Sequence, residues 1–137
     1  MTVVPVVELT VWSEGSLADG AADRFARAFE RDRAAVSWIG ETVTTSDDPS
    51  FVELTHTFPT PGPWVTPAVE WRLLAEVRWL VDWLGRVSGD LGLDLAVRYD
   101  NHDLGHIRHG VIDAAVTEDL LAVWQRDLER LERDAPR

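Results

Sequence analysis

Two kinds of hydrophobic spacing alternate along this chain, and their order constrains the fold more than any other feature. Segments that are rich in β-branched residues or that alternate apolar and polar side chains, as strands do, occupy residues 3–12, 36–45, 51–58 and 93–99. Segments that repeat apolar side chains every three or four positions, as helices do, occupy residues 16–31 and 67–88. The predicted order is therefore β-α-β-β-α-β. Because this is the order of the ferredoxin-like motif, we expect an α+β fold with an antiparallel sheet and both helices on one face.

The residues after this unit predict a C-terminal extension made of a β-hairpin strand and a helix. Residues 111–112 are strand formers, and Thr117 is placed to cap a final helix. A length of 137 residues is that of one ordinary domain, and the sequence contains no repeat or linker. We therefore expect a single domain over residues 1–137, with its core at 3–99 and the extension at 100–137.

The composition limits which partners the protein can bind and which side-chain chemistry it can use. The 24 acidic and 13 basic residues give a formal net charge of -11, which repels the phosphates of nucleic acids and of anionic membranes. The absence of cysteine excludes disulfides, thiolate nucleophiles and Cys-type zinc sites. The sequence has neither an export signal nor an apolar run of about 18 residues, so we expect a cytoplasmic protein. All of its basic residues are arginine, which indicates a GC-rich, bacterial gene.

Residues 99–109 hold three of the four histidines, and the local geometry decides what these can do. If the segment is a helix, His102, His106 and His109 stand at i, i+4 and i+7 on one face. Three imidazoles on one face could bind a divalent transition metal such as zinc, with a nearby aspartate orienting one of them. No His-Glu-x-x-His or comparable metal signature accompanies them.

If the segment is a β-hairpin, the histidines separate. Gly105 and Gly110 favour this reading, because glycines are typical of tight turns and are poor helix formers. In such a hairpin residues 100–101 and Gly105 form the loop, and residues 107–112 return along the strand at 93–99. We favour the hairpin, and we expect no metal or other cofactor.

The hairpin places the catalytic candidates at the end of a strand. These are Tyr99, Asp100 and His102, joined by either His106 or His109 according to the strand register, since the last two then lie on opposite faces. An imidazole beside a carboxylate can act as a general base near neutral pH. The segment therefore supports an alternative function, that of a small enzyme or ligand-binding protein, and it depends on a metal only if the three histidines converge.

The fourth histidine, His56, falls on the apolar face of the strand at 51–58, with Val52, Leu54 and Phe58. A histidine among apolar neighbours is most often a hydrogen-bonded core residue. We therefore expect His56 to be structural.

Seven tryptophans are a large number for a chain of this length. Trp71, Trp79 and Trp83 lie at or beyond the edge of the apolar stripe of the long helix, and Trp124 lies on the final helix. Such residues either pack beneath the final helix or the proline-rich segment at residues 59–64, or they line an interface with another chain. We select Trp71, Trp79, Trp83 and Trp124 as interface candidates.

Together these features favour a small acidic interaction protein over an enzyme. An accessory subunit, an inhibitor or an immunity-type protein would account for the negative charge and for the number of tryptophans. We expect a protein partner or a homo-oligomer, and neither nucleic acid nor a membrane.

Overall fold

The computed structural model describes residues 4–45 and 48–134. These form an α+β fold with a six-stranded antiparallel sheet and three α-helices. The strands are β1 (Val6–Ser13), β2 (Glu41–Thr45), β3 (Glu53–Pro59), β4 (Asp94–Tyr99), β5 (His102–Arg108) and β6 (Val111–Ile112). The helices are α1 (Ala21–Asp32), α2 (Pro67–Leu91) and α3 (Val123–Asp134), with a 3-10 turn at Arg33–Ala35 and a π-helical segment at Ala115–Ala122.

The strands lie in the order β2-β3-β1-β4-β5-β6, and every neighbouring pair is antiparallel. β1 is central: Leu9 lies opposite His56 of β3 on one side and opposite Tyr99 of β4 on the other. Alternate residues of each strand point to opposite faces. We call the face that carries Leu9 the inner face and the face that carries Glu8 and Trp12 the outer face.

The inner face is covered by a single hydrophobic core to which all three helices contribute. From α1 come Phe25 and Phe29, from α2 a stripe that includes Leu80 and Leu84, and from α3 Leu128. Side chains of residues 3–99 and of residues 100–137 share this core. Leu54, Ile107 and Leu120 are among them.

Both ends of α2 follow from local chemistry. The Thr66 side chain accepts a hydrogen bond from the Val69 N–H at 3.3 Å, which is typical of an N-cap followed by proline. The helix continues to Leu91, three residues beyond the predicted end at residue 88, and is capped by the left-handed Gly92. Although α2 has 25 residues, no helix in the described ranges has the apolar length that a membrane crossing requires.

Two elements start later than their sequence patterns predict. α1 begins at Ala21 rather than near Ser16, because Gly20 adopts a left-handed conformation with φ of 78° that a helix cannot include. β2 begins at Glu41 rather than near Val36, because the N–H groups just before it donate to a buried carboxylate of α2.

The histidine-rich segment is strand and tight turn, which confirms the hairpin reading. β5 pairs with β4 across a two-residue turn, Asp100 and Asn101, whose φ angles are 49° and 65°. Gly105 lies inside β5 rather than in the loop, and the strand that returns along β4 begins at His102 rather than at residue 107. A second turn, at residues 109–110, leads to β6.

Candidate functional site

A cleft of about 370 Å³ opens on the outer face where β1, β4 and β5 lie side by side. One row across these strands runs from Trp12 through Ala96 to His106. Because the middle residue is small, a space remains between the two rings. Glu14, Arg98 and other residues close the cleft, which we call the outer cleft.

His106 lies between two carboxylates in this cleft. Its Nε2 is 3.0 Å from Glu14 Oε1, and its Nδ1 is 3.7 Å from Asp113 Oδ2. The same Asp113 oxygen accepts a hydrogen bond from the His106 N–H at 2.8 Å, and the Asp113 N–H donates to the His106 carbonyl at 2.9 Å. Asp113 therefore fixes the backbone of β5, and Glu14 orients the ring. An imidazole that is held in this way can bind a ligand or transfer a proton.

The wall of the outer cleft opposite His106 is formed by a cation stacked on an aromatic ring. The Arg98 guanidinium carbon lies 5.2 Å from the centroid of Trp12, and Arg98 also pairs with Asp103 at 3.1 Å. The cleft thus combines an arginine, an imidazole and two carboxylates at its rim. This arrangement suits a small polar ligand that carries both signs of charge.

The other candidates of the histidine-rich segment lie away from this cleft. His102 begins β5, His109 lies in the turn after it, and seven residues of extended chain separate them by roughly 20 Å. The helical alignment that the metal-binding alternative assumed is therefore not present, because a strand spreads the three imidazoles that a helix would bring to one face. Within the described ranges, no group of three or more His, Asp or Glu side chains is arranged to hold a metal ion.

Tyr99 and Asp100 do not join His106 either. Tyr99 faces the core and stacks on Phe58 with 6.3 Å between ring centroids, and burial raises the pKa of its hydroxyl to about 12. Asp100 occupies the exposed turn between β4 and β5. The catalytic candidates that were predicted to lie together at the strand end thus lie on two faces of the sheet, with Tyr99 on the inner face and His106 on the outer face.

Two of the four interface candidates are core residues. Trp83 is 2% exposed, meets Phe25 and Phe29 edge to face at 5.2 Å, and donates to Asp32 Oδ2 at 2.8 Å. Trp124 is buried and stacks on Phe58 at 5.8 Å. The burial of both indoles has a tertiary cause, since α1 and β3 present the aromatic rings that cover them.

The remaining interface candidates, Trp71 and Trp79, are half-buried. Trp71 donates to Glu132 of α3 at 2.7 Å. Trp79 stacks on Trp83 and meets Trp38 edge to face. Contact of these two residues with another chain stays a prediction.

Sequence analysis missed two buried glutamates on α2. Glu76 is 3% exposed, and its carboxylate accepts hydrogen bonds at 3.0 Å from the N–H groups of Ile39 and Gly40. Glu70 accepts from the Gly62 N–H at 2.7 Å and from Trp124 Nε1 at 3.0 Å. Each carboxylate ties a loop to the helix. Their positions beside the apolar stripe are the signal that could have identified them.

His56 is buried, as predicted, with no exposed surface. A hydrogen bond of 2.8 Å joins its Nδ1 to Thr42 Oγ1, whereas its Nε2 has no hydrogen-bond partner among the described residues. The nearest acid is Glu76, whose Oε1 is 3.9 Å from Nε2. Burial lowers the pKa of His56 to about 4, so this histidine is neutral at physiological pH.

Comparison with protein-family models, with curated proteins and with solved structures finds no match for this chain. Its function therefore has to be argued from its own residues.

Proposed function

We propose that this chain is a small acidic interaction protein, of the accessory, inhibitor or immunity type, that binds a basic protein on the outer face of its sheet. The observation that carries this proposal is a group of three outer-face carboxylates, those of Glu8, Glu41 and Glu53. None of them forms an ion pair with a cation in the part of the chain that the structure describes.

The three carboxylates lie on the same face of the strands β1, β2 and β3, and two of them are close together. Glu8 and Glu41 flank Thr57 in a single row, so their Cα atoms are about 10 Å apart, which is two strand spacings. Glu53 lies beside Trp12 on the same face, four residues along β3 from Thr57 and so roughly 13 Å from that row. Like charges at such distances raise the local negative potential, which attracts a cationic partner.

The other half of the outer face differs, because its charges already compensate each other. Arg98 pairs with Asp103, and Arg108 pairs with Asp94 at 2.9 Å. A basic partner would therefore be attracted towards the β1-β2-β3 half.

That half also carries the apolar surface that an interface requires. Val6 is 58% exposed and Val43 is 59% exposed. Interfaces combine such an apolar centre with charged groups that select the partner. Because the carboxylates would repel the same face of a second copy, the proposal commits to a different protein rather than to a homo-oligomer.

The proposed partner meets the protein in the cytoplasm, in keeping with a sequence that has no cysteine for disulfides. We further assign the first four strands and the first two helices to a ferredoxin-like unit. In support, β3 lies between β1 and β2, and β4 lies on the far side of β1, which is the split arrangement of a βαββαβ chain.

The test uses three matched baits on extract from the source cells. These are the wild type, a variant with Glu8→Gln, Glu41→Gln and Glu53→Gln, and a control with Asp82→Asn, Glu118→Gln and Asp119→Asn, which removes three exposed carboxylates elsewhere on the surface. We expect the wild type and the control to retain one basic protein that the outer-face variant loses.

Calorimetry with the retained protein then gives the affinities. We expect the outer-face variant to bind at least about tenfold more weakly than the wild type, with the control within about twofold, and binding that weakens as salt rises. Equal affinity of the two triple variants, or the absence of any retained protein, would overturn the proposal.

A second candidate function rests on the outer cleft, since His106 lies between Glu14 and Asp113 there. In this case small zwitterions, with glycine and β-alanine as the first probes, would shift the imidazole signals of His106 in NMR spectra, and Arg98→Ala would weaken the effect. Unchanged His106 signals with these probes would remove this candidate and leave the protein-binding proposal standing.

A further inference from the structure

A second cavity lies on the opposite side of the molecule, between α1 and α2. It measures about 440 Å³ and is lined by Arg24, Arg27, Ala28, Arg31, Val87, Asp90 and Leu91. This volume falls in the range of about 300–1,000 Å³ that is usual for small-molecule sites. We call it the helical groove.

The floor of the helical groove is apolar. Val87 belongs to the buried core, and Ala28 and Leu91 are partly buried against that core. An apolar ligand chain that lies on this floor would leave water, which is favourable by about 25 cal/mol for each Å² removed.

The rim of the groove is cationic, although the protein as a whole is strongly acidic. Arg24, Arg27 and Arg31 follow each other at i, i+3 and i+7 and therefore share one side of α1. Arg27 pairs with Asp23 at 3.0 Å, and Arg31 pairs with Asp32 at 2.9 Å. Two of the three guanidinium groups thus already have an anion.

Arg24 is the exception on this rim. Within residues 4–45 and 48–134, no acidic side chain forms an ion pair with it. Asp90 of α2 lines the opposite rim and disfavours additional anions. The groove therefore offers one unpaired cation above one apolar floor.

We propose that the helical groove binds a monocarboxylate with an alkyl chain, of the kind represented by a medium-chain fatty acid. The carboxylate lies at Arg24 and the chain on Val87 and Leu91. A single unpaired guanidinium matches a single carboxylate, whereas an acidic peptide would need several. The site is on the helical side of the sheet, so the proposal does not depend on the protein-binding function of the outer face.

The experiment measures octanoate binding to the intact protein by calorimetry and by amide NMR, below the concentration at which the probe forms micelles. Acetate supplies the charge alone and octan-1-ol supplies the chain alone. We expect octanoate to bind at least about tenfold more tightly than either, because both parts of the site contribute. The amide signals of Ala28 and Leu91 should shift.

Three substitutions of exposed residues test whether charge at the rim controls octanoate binding. Arg24→Gln should weaken octanoate binding about tenfold, and Arg126→Gln, an exposed arginine of α3, should leave it unchanged. Asp90→Asn should strengthen it by about twofold to fivefold, because it removes a like charge from the rim. A general effect of folding would not produce this gain.

Three results would overturn the inference. One is equal binding of octanoate and octan-1-ol, which would mean that no cation takes part. Another is an Arg24→Gln variant with wild-type affinity. The third is a set of shifted amides that lies outside α1 and α2.

Discussion

The acidic residues on the two faces of the sheet differ in their burial and in their hydrogen-bond partners. Towards the inner side, Glu70 and Glu76 are buried, and each accepts hydrogen bonds from backbone N–H groups of a loop. On the outer face, Glu8 and Glu41 stand exposed with no cation of the described residues paired to them. The buried acids therefore hold loops to α2, whereas the proposed binding function draws on the exposed acids.

The tryptophans of the two faces differ in the same manner. Trp83 is enclosed by Phe25 and Phe29 on the inner side, whereas Trp12 lies half-buried beneath Arg98 on the outer face. Substitutions in matched pairs, one on each face, should therefore separate residues that stabilise the fold from residues that serve binding.

The largest expected difference is between Trp83→Ala and Trp12→Ala. Loss of the buried indole leaves a cavity and should lower the free energy of unfolding by about 3–5 kcal/mol. Loss of the outer indole should cost about 1 kcal/mol or less. Urea unfolding followed by circular dichroism measures both, and similar losses for the two variants would break the distinction between the faces.

The next effect is the dependence of stability on pH that His56 introduces. Its pKa is about 4 in the folded protein and 6.5 for an exposed histidine. Between these values the unfolded chain binds more protons, so stability is complete above about pH 6.5 and falls as the pH drops towards 4. One pKa unit is worth about 1.4 kcal/mol, so the difference of about 2.5 units amounts to about 3 kcal/mol.

Urea unfolding between about pH 7 and about pH 4.5 measures this loss. The variant His56→Asn keeps a polar atom near Thr42 but does not titrate there, so most of the slope in this window should disappear. A variant that keeps the wild-type slope would show that His56 is not its source. His102, which is exposed, provides the control in His102→Asn.

A smaller difference is expected between Glu76→Gln and Glu41→Gln. The first substitution weakens the hydrogen bonds that hold the Ile39 and Gly40 amides, and it should lower the free energy of unfolding by about 1–3 kcal/mol. The second changes an exposed side chain and should alter stability by about 0.5 kcal/mol or less. If both variants unfold at the wild-type urea concentration, Glu76 does not stabilise the loop.

The smallest effect concerns Tyr99, the sole tyrosine of the sequence. Burial raises the pKa of its hydroxyl to about 12, from an ordinary value of 10.0. Because the sequence has no other tyrosine, the ultraviolet absorbance of tyrosinate reports the ionisation of Tyr99 alone. We expect ionisation to begin about two pH units above that of free tyrosine, and ionisation near pH 10 would show that the ring is exposed to water.

Local patterns were sufficient to predict several elements of this fold. The alternation in β1, β3 and β4 placed these strands, and Thr66 with Pro67 marked the start of α2. In each case the signal lies within a few neighbouring residues. Contacts between distant residues could not be read in this way: β2 starts late because Glu76, 36 residues further along the chain, binds the Gly40 amide.

The outer cleft shows more clearly that contacts between distant residues cannot be predicted from local patterns. In β5 Asp103 pairs with Arg98, but Gly105 pairs with Val97, so Leu104 is an extra residue in the ladder. Without this bulge His106 would lie opposite Leu95 and face the core, because a shift of one residue exchanges the two faces. The sequence therefore identified His106 as a candidate, but the bulge decided that it meets Glu14.

A methyl NMR spectrum of valine-labelled protein, recorded with the partner retained by the wild-type bait, tests whether a basic protein binds the β1-β2-β3 half of the outer face. Val6 and Val43 are exposed on the β1-β2-β3 half of the outer face, whereas Val111 is exposed at the far β6 edge of that face and Val123 on α3. We predict that the methyl signals of Val6 and Val43 shift or broaden on binding, while those of Val111 and Val123 stay unchanged. Shifts confined to Val111 and Val123 would show that the partner does not bind the β1-β2-β3 half of the outer face.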